Sequence, residues 1–421
     1  RQMCIRDRPI SMRKILLVSV SALLLVGCAG NGGNQTATKF KEVCDKVKAD
    51  NIPDKRVQVF DPVLDDKGEA LVLRGVTTNT AAKEQLLKGM ADAGIKALDS
   101  LEVLPAAAMG EKIYGVTTLS VINFRTGSGY DAEAATQTMM GAPLKLLMET
   151  DGWVRAVTPE GYIAWVRGTG IAKMTKEEFD SYTAAPKVVV TDKYISVMET
   201  PGGKNPVSDA VWGDVMLDLG VQGSYRAVSL PDGRKGFVSN SSVMDYTKWI
   251  NSRNATAETI IETARQFMGV PYMWGATSIK AVDCSGFTKS VYYLNGIILA
   301  RDASQQCYTG EDVDITKYVN DSLYTMDALQ NLKKGDLVFF GRKATAEKKE
   351  RITHVGIYIE NGQFIHSAGF VHINSLLPNE EDYYSGSTRL VRAQRILGNE
   401  DKGMGIETIK NSVYGMPQQA K

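Results

Sequence analysis

The residues best suited to covalent chemistry in this chain are Val282-Asp283-Cys284-Ser285-Gly286-Phe287, which lead into a helical pattern over residues 288–295. Val291 and Leu294 fall on one face of that run, so Cys284 is expected at a helix start, where unpaired N–H groups and the helix dipole favour a thiolate. A cysteine that attacks an amide carbonyl also needs a partner to take its proton and return it. The chain has three histidines, His354, His366 and His372, all in one short downstream window. Residues 353–359 read as a strand, Glu360-Asn361-Gly362 as a turn and residues 363–366 as the returning strand, the pattern of an Asn-Gly hairpin. Side chains on neighbouring strands stand close together. His354 is therefore assigned as general base, with His366 orienting its imidazole. The competing reading of Cys284 is an inert core cysteine.

Five cysteines occur, at positions 4, 28, 44, 284 and 307, with neither a C-x-x-C pair nor zinc-ligand spacing. No metal and no cofactor is expected. Cys44 and Cys307 could pair in an exported protein, but they fall in separate domains and read instead as free, small core residues. With 49 basic against 48 acidic residues the net charge is +1, so no overall field draws the protein to nucleic acid. At 421 residues, 43% of them hydrophobic and 23% charged, the chain is long enough for several globular domains.

Met12-Arg13-Lys14 followed by an apolar run over residues 15–26 and Leu25-Val26-Gly27-Cys28 has the form of a bacterial signal peptide. The run is shorter than the roughly 20 residues needed to span a bilayer. Its junction resembles a lipobox, which makes Cys28 the expected lipidation site. The product would be exported and lipid-anchored in the bacterial cell envelope, on the periplasmic side or in the outer membrane. An ordinary cleaved signal peptide is the alternative. Residues 1–11 precede the expected start at Met12 and are set aside from the fold reading.

Residues 1–28 thus form the leader, and 29–38, rich in Gly, Asn and Thr, a flexible tether. Residues 39–108 read as a small α/β domain of α-β-β-α-β order without visible chemistry. Two all-β segments follow, 109–175 and 186–246, with short alternating runs and Gly-rich turns. The first carries Val121-Ile122-Asn123-Phe124-Arg125, then Gly141-Ala142-Pro143, Trp153-Val154 and Gly161-Tyr162-Ile163-Ala164-Trp165-Val166. It resembles bacterial SH3-like domains, and the second is a looser version of it. Core packing of a small barrel accounts for most of these aromatic residues. Residues 253–396 follow, with a helix over 255–268, and 397–421 read as a C-terminal tail.

Residues 254–395 resemble the NlpC-type cell-wall peptidases, a papain-like cysteine group. The resemblance rests on Gly269-Val270-Pro271-Tyr272-Met273-Trp274-Gly275-Ala276, Asp283-Cys284-Ser285-Gly286-Phe287, Arg301-Asp302-Ala303-Ser304-Gln305-Gln306, Lys334-Gly335-Asp336-Leu337-Val338-Phe339-Phe340 and the two histidine strands. It implies an α+β multidomain chain: a small α/β N-terminal domain, two SH3-like β-barrels and a C-terminal papain-like α+β catalytic domain. It also implies a cysteine peptidase in which Cys284 attacks, His354 transfers the proton, His366 orients it, and the Tyr272 phenol faces the developing oxyanion with the Cys284 N–H. A core aromatic is the alternative for Tyr272.

Related enzymes with two SH3-like domains cleave the γ-D-glutamyl bond to the diamino acid in murein stem peptides whose L-alanine amine is free. On that pattern Asp283 and Ser285 hold the ammonium, Tyr162 closes the pocket, and Trp274 and Asp302 join the substrate site. One departure is Ala142, where some relatives carry a glutamate; Asp151 or Glu160 could substitute. Another is the basic segment 342–351, which either contacts acidic groups of the peptide or is a solvated charge run. Two other classes remain: an amidase or endopeptidase of the same fold acting on intact peptidoglycan, and a non-catalytic wall-binding lipoprotein. Oligomeric state is not legible.

Overall fold

The computed structural model describes residues 31–66, 70–320 and 325–414. The expected leader and its Cys28 lie outside the described residues.

Helix Asn31–Asn51 and helix Thr80–Asp92 share a core with strands Phe60–Asp66 and Leu71–Thr77, built on Cys44, Val47, Phe60, Leu73, Leu86 and Met90. The two strands pair antiparallel, and short strands Ala97–Asp99 and Glu102–Val103 run parallel to Leu71–Thr77. The first helix takes in most of the segment expected to be a tether. Once Cys44 and Val47 dock and nucleate the helix, each residue added at its N-terminal end needs only propagation, which weak helix formers tolerate.

The next segment folds as seven strands from Tyr114–Thr117 to Ile171–Met174. Their spatial order is seventh, first, fourth, fifth, sixth, second, third, and Phe124, Leu146, Val154, Val166 and Ile171 meet in one core. The segment from Lys187–Val190 to Val243–Asp245 has seven strands in the same order around Val188, Val197, Met216 and Val228. Identical order in two segments of differing sequence makes them structural repeats. Among the described residues no pairing joins the outermost strands of either segment, so each is a curled, open SH3-like sheet rather than a closed barrel.

The C-terminal domain rests on an antiparallel six-stranded sheet in the order Glu311–Asp312, Leu390–Arg395, Leu337–Arg342, Arg351–Tyr358, Gln363–Ala368, Phe370–Ser375. Helix Cys284–Leu294 packs on it through Phe287 and Val291 against Phe339, Val355, Ile357 and Ile365. Residues 397–414, read from sequence as tail, belong to this domain. Strand Glu407–Thr408 pairs with Ile297–Ile298, and Ile406 and Ile409 enter the core. The three N-terminal units are fastened to it by polar contacts such as Thr277 Oγ1 donating to the Gln137 carbonyl at 3.0 Å and Tyr194 to the Ile279 carbonyl at 2.7 Å.

Candidate active site

Asp283 caps the helix that begins at Cys284: its Oδ1 accepts from the Gly286 N–H at 2.7 Å. Cys284 is the first helical residue and is 8% exposed. The other Asp283 oxygen accepts from the Gly275 N–H at 2.9 Å and from Arg301 at 2.5 Å, while Arg301 Nη1 reaches Oδ1 at 3.2 Å and Ser285 Oγ at 3.0 Å. Arg301 is 2% exposed, and its Nε donates to Thr136 of the first SH3-like domain at 2.9 Å. Asp283 and Ser285 were expected to hold a substrate ammonium. Both line the cleft, but the carboxylate is neutralised by a buried bidentate guanidinium, so their geometry supports the helix that begins at Cys284 instead. Arg301 stands in the quoted motif, yet its role was not read from sequence, because nothing local shows a charge partner eighteen residues away.

The two histidines meet without being directly opposite. Gly356 faces His366 in the ladder, and His354 faces Phe340 on the other side. A Cβ at Gly356 would lie 2.7 Å from Phe364 Cδ2 and 3.1 Å from His366 Cβ, so the missing side chain makes room for the His366 ring to slant toward His354. The Arg351–Tyr358 strand also carries a bulge between its pairings to Phe340 and Gly341, a device that re-aims side chains next to active sites. Gly356→Ala is expected to lower stability by about 1–3 kcal/mol through overpacking and to cut turnover at least tenfold, read by thermal unfolding and peptide cleavage.

His354 Nε2 and His366 Nδ1 are 2.6 Å apart, and His366 Nε2 is 2.9 Å from Asn374 Oδ1. Asn374 Nδ2 donates to the Asp382 carbonyl at 2.8 Å. A carbonyl can only accept, which fixes the direction of the whole chain. Asn374 turns Oδ1 toward His366, His366 carries its proton on Nε2, and His354 donates from its own Nε2. His354 Nδ1 is then the unprotonated nitrogen left for Cys284. Asn374 was missed from sequence; the available signal was its place two residues beyond His372, on the strand that pairs with His366. His372 bonds the Phe370 carbonyl at 2.8 Å and takes no part in this chain.

Burial lowers the His354 imidazole to about 3, with His366 and Arg389 adding to the effect, and burial lowers His366 to about 4. The Cys284 thiol is pushed up to about 12, first by burial and then by Asp283, against the lowering pull of Arg301 and the Ser285 and Val355 N–H groups. The expected helix-start thiolate is thus outweighed, and the resting pair is neutral thiol and neutral imidazole. Between pH 5 and 7 neither group titrates, so kcat/KM is expected to stay flat across that window instead of falling near the ordinary histidine value of 6.5. Stability follows a different curve. Below 6.5 the unfolded chain takes up protons that the native histidines refuse, so their contribution is full above that pH and is lost as pH falls toward 4.

Cys284 opens onto a cleft of about 1010 Å³ lined also by Trp274, Asp302, Tyr162 and Arg351. Trp274 is 59% exposed at its mouth. Burial, together with Cys284 and Asp283, keeps the Tyr272 phenol protonated and able to donate. Tyr162 donates to Asp302 Oδ2 at 3.4 Å, which brings the first SH3-like domain into the site. Of the basic segment 342–351, Arg351 lines the cleft. Neither Asp151 nor Glu160 does, so neither stands in for the glutamate absent at Ala142; Glu160 is paired instead with Lys289 at 3.3 Å. Among the described residues there is no cluster of His, Cys, Asp or Glu that would hold a metal ion.

Residues 269–393 match the NlpC/P60 family, and residues 125–171 match the bacterial dipeptidyl-peptidase Sh3 domain. A γ-D-glutamyl-L-lysine dipeptidyl-peptidase of Bacillus cereus is 28% identical over 266 residues, 60% of this chain and 74% of the relative. The enzyme of the same name from Bacillus subtilis is 29% identical over 251 residues, 58% of this chain and 75% of its own length. The crystal structure of an NlpC/P60 family protein from Bacillus cereus superposes with a TM-score of 0.54 at 23% identity, covering 67% of this chain and 99% of that one, which supports the fold. With a cysteine at a helix start, two hydrogen-bonded histidines on the facing sheet and an Sh3 domain at the cleft, the chain is a cysteine-type peptidase that carries an NlpC/P60 domain over residues 269–393.

Proposed function

We propose that this peptidase hydrolyses the amide between the γ-carbonyl of D-glutamate and the diamino acid in murein stem peptides whose L-alanine amine is free. It would act in the cell envelope from a lipid anchor at Cys28. The observation that carries the reading is Tyr162 of the Sh3 domain bonded to Asp302 of the catalytic domain in the same cleft as Cys284, a polar end suited to an amine. The dipeptidyl-peptidases reported above are named for that bond.

The Cys284 sulfur attacks the carbonyl as its proton moves to His354 Nδ1, and the oxyanion is held by the Tyr272 phenol and the Cys284 N–H. The imidazolium, oriented by His366, gives the proton to the departing amine. Water then attacks the thioester with His354 again as base, which releases L-Ala-D-Glu and restores the thiol. Exposed Arg351 at the cleft is placed to meet substrate carboxylates.

The test is to offer L-Ala-γ-D-Glu-diaminopimelate and its N-acetyl form side by side, with cleavage followed by mass spectrometry. Cleavage of the free peptide alone is expected. Equal cleavage of both would make the enzyme an endopeptidase that accepts intact peptidoglycan, and cleavage of neither would overturn the assignment.

A further inference from the structure

The N-terminal module, to which its sequence assigns no chemistry, reaches the active-site cleft: Ile52, Pro53 and Arg56 line it together with Cys284. Arg56 is fixed on both sides. Its carbonyl accepts from the Ile163 N–H at 2.7 Å, next to Tyr162. Its guanidinium forks onto Asp54, with Nε to Oδ1 and Nη2 to Oδ2 both at 2.8 Å, while Nη1 donates to Asp302 Oδ2 at 2.9 Å and to Ser304 Oγ at 2.7 Å. Gln305 of the catalytic domain closes the cluster by donating to Asp54 Oδ2 at 2.9 Å. The Arg56 and Asp302 side chains are 27% and 29% exposed, so the pair is partly shielded from solvent.

The charges give this cluster a function. Asp283 is matched by Arg301, and Asp61 by Arg155. The group formed by Asp54, Arg56 and Asp302 has two carboxylates to one guanidinium and keeps one net negative charge. It lies where the Tyr162 phenol meets Asp302. A substrate ammonium arriving there completes the charge balance, and an acetamide does not. Exposed Lys48 and Lys55 at the same cleft are screened by water and salt, whereas the partly buried cluster acts by direct contact. A guanidinium fork also holds two carboxylates in one fixed geometry, which a lysine ammonium cannot do.

We infer that Arg56, supplied by the N-terminal module, is the positioning residue that sets Asp302 to recognise the free amine of the substrate. This rests on the proposed function above and assigns the module a role in specificity.

The experiment measures kcat and KM of the full chain on L-Ala-γ-D-Glu-diaminopimelate and its N-acetyl form, for wild type, Arg56→Ala, Arg56→Lys, Asp302→Asn and the Arg56→Ala/Asp302→Asn double variant. Arg56→Ala and Arg56→Lys are expected to raise KM for the free peptide about tenfold, a typical coupling for a partly buried charge pair, with kcat nearly unchanged. The preference for the free over the acetylated peptide should shrink by the same factor. The double variant should be no worse than Asp302→Asn alone. If Arg56→Ala does not fold, Arg56→Lys alone decides the matter. Wild-type KM and undiminished preference in the folded Arg56 variants, or additive effects in the double variant, overturn the inference. If wild type itself shows no preference for the free amine, it is the proposed function that fails.

Discussion

Cys284→Ala is expected to lose turnover by about 10⁵-fold or more, the scale seen when a catalytic nucleophile is deleted, while the protein unfolds at an unchanged temperature. Among the described residues the thiol has no substitute within the site: Cys44 is buried in the module core and Cys307 in the core of the C-terminal domain. Its removal leaves the Asp283 cap, the Arg301 pair and the packing of Phe287 in place. Steady-state cleavage of the free tripeptide, with thermal unfolding as a control, gives the answer. Residual activity within tenfold of wild type would mean that Cys284 is not the nucleophile.

His354→Ala is expected to cost about 10⁴-fold, because proton transfer to and from sulfur and leaving amine has no other carrier. His366→Ala is expected to cost less, about 10–10²-fold. Without its Nδ1 the His354 ring loses the acceptor that fixes its tautomer but keeps its place on the strand. Asn374→Ala should fall below both, since it acts only through His366. The measurement is kcat/KM for the three variants on one substrate, and an inverted order of His354 and His366 would exchange their roles.

Much of this site was legible in sequence because the rare residues carry it. Three histidines in a 421-residue chain leave few choices of base, and the Asn361-Gly362 turn, both residues with positive φ, sets the hairpin that brings two of them together. The SH3-like repeats were legible from their alternating runs, and their shared strand order makes the second recognisable despite its looser motif. What sequence could not carry was charge pairing across long separations. Asp283 looked like a free anion because Arg301 is eighteen residues away, and the Arg56 that fixes Asp302 was hidden because it belongs to another domain. The thiol was misjudged for a related reason: the helix-start effect is local and visible, whereas burial is produced by the whole sheet above it.

The most direct test of the central claim is mass-spectrometric identification of the products when wild-type enzyme acts on L-Ala-γ-D-Glu-diaminopimelate. The account predicts two products, L-Ala-D-Glu and free diaminopimelate, at any pH between 5 and 7. Release of free alanine, or no cleavage at the γ-glutamyl bond, would contradict it.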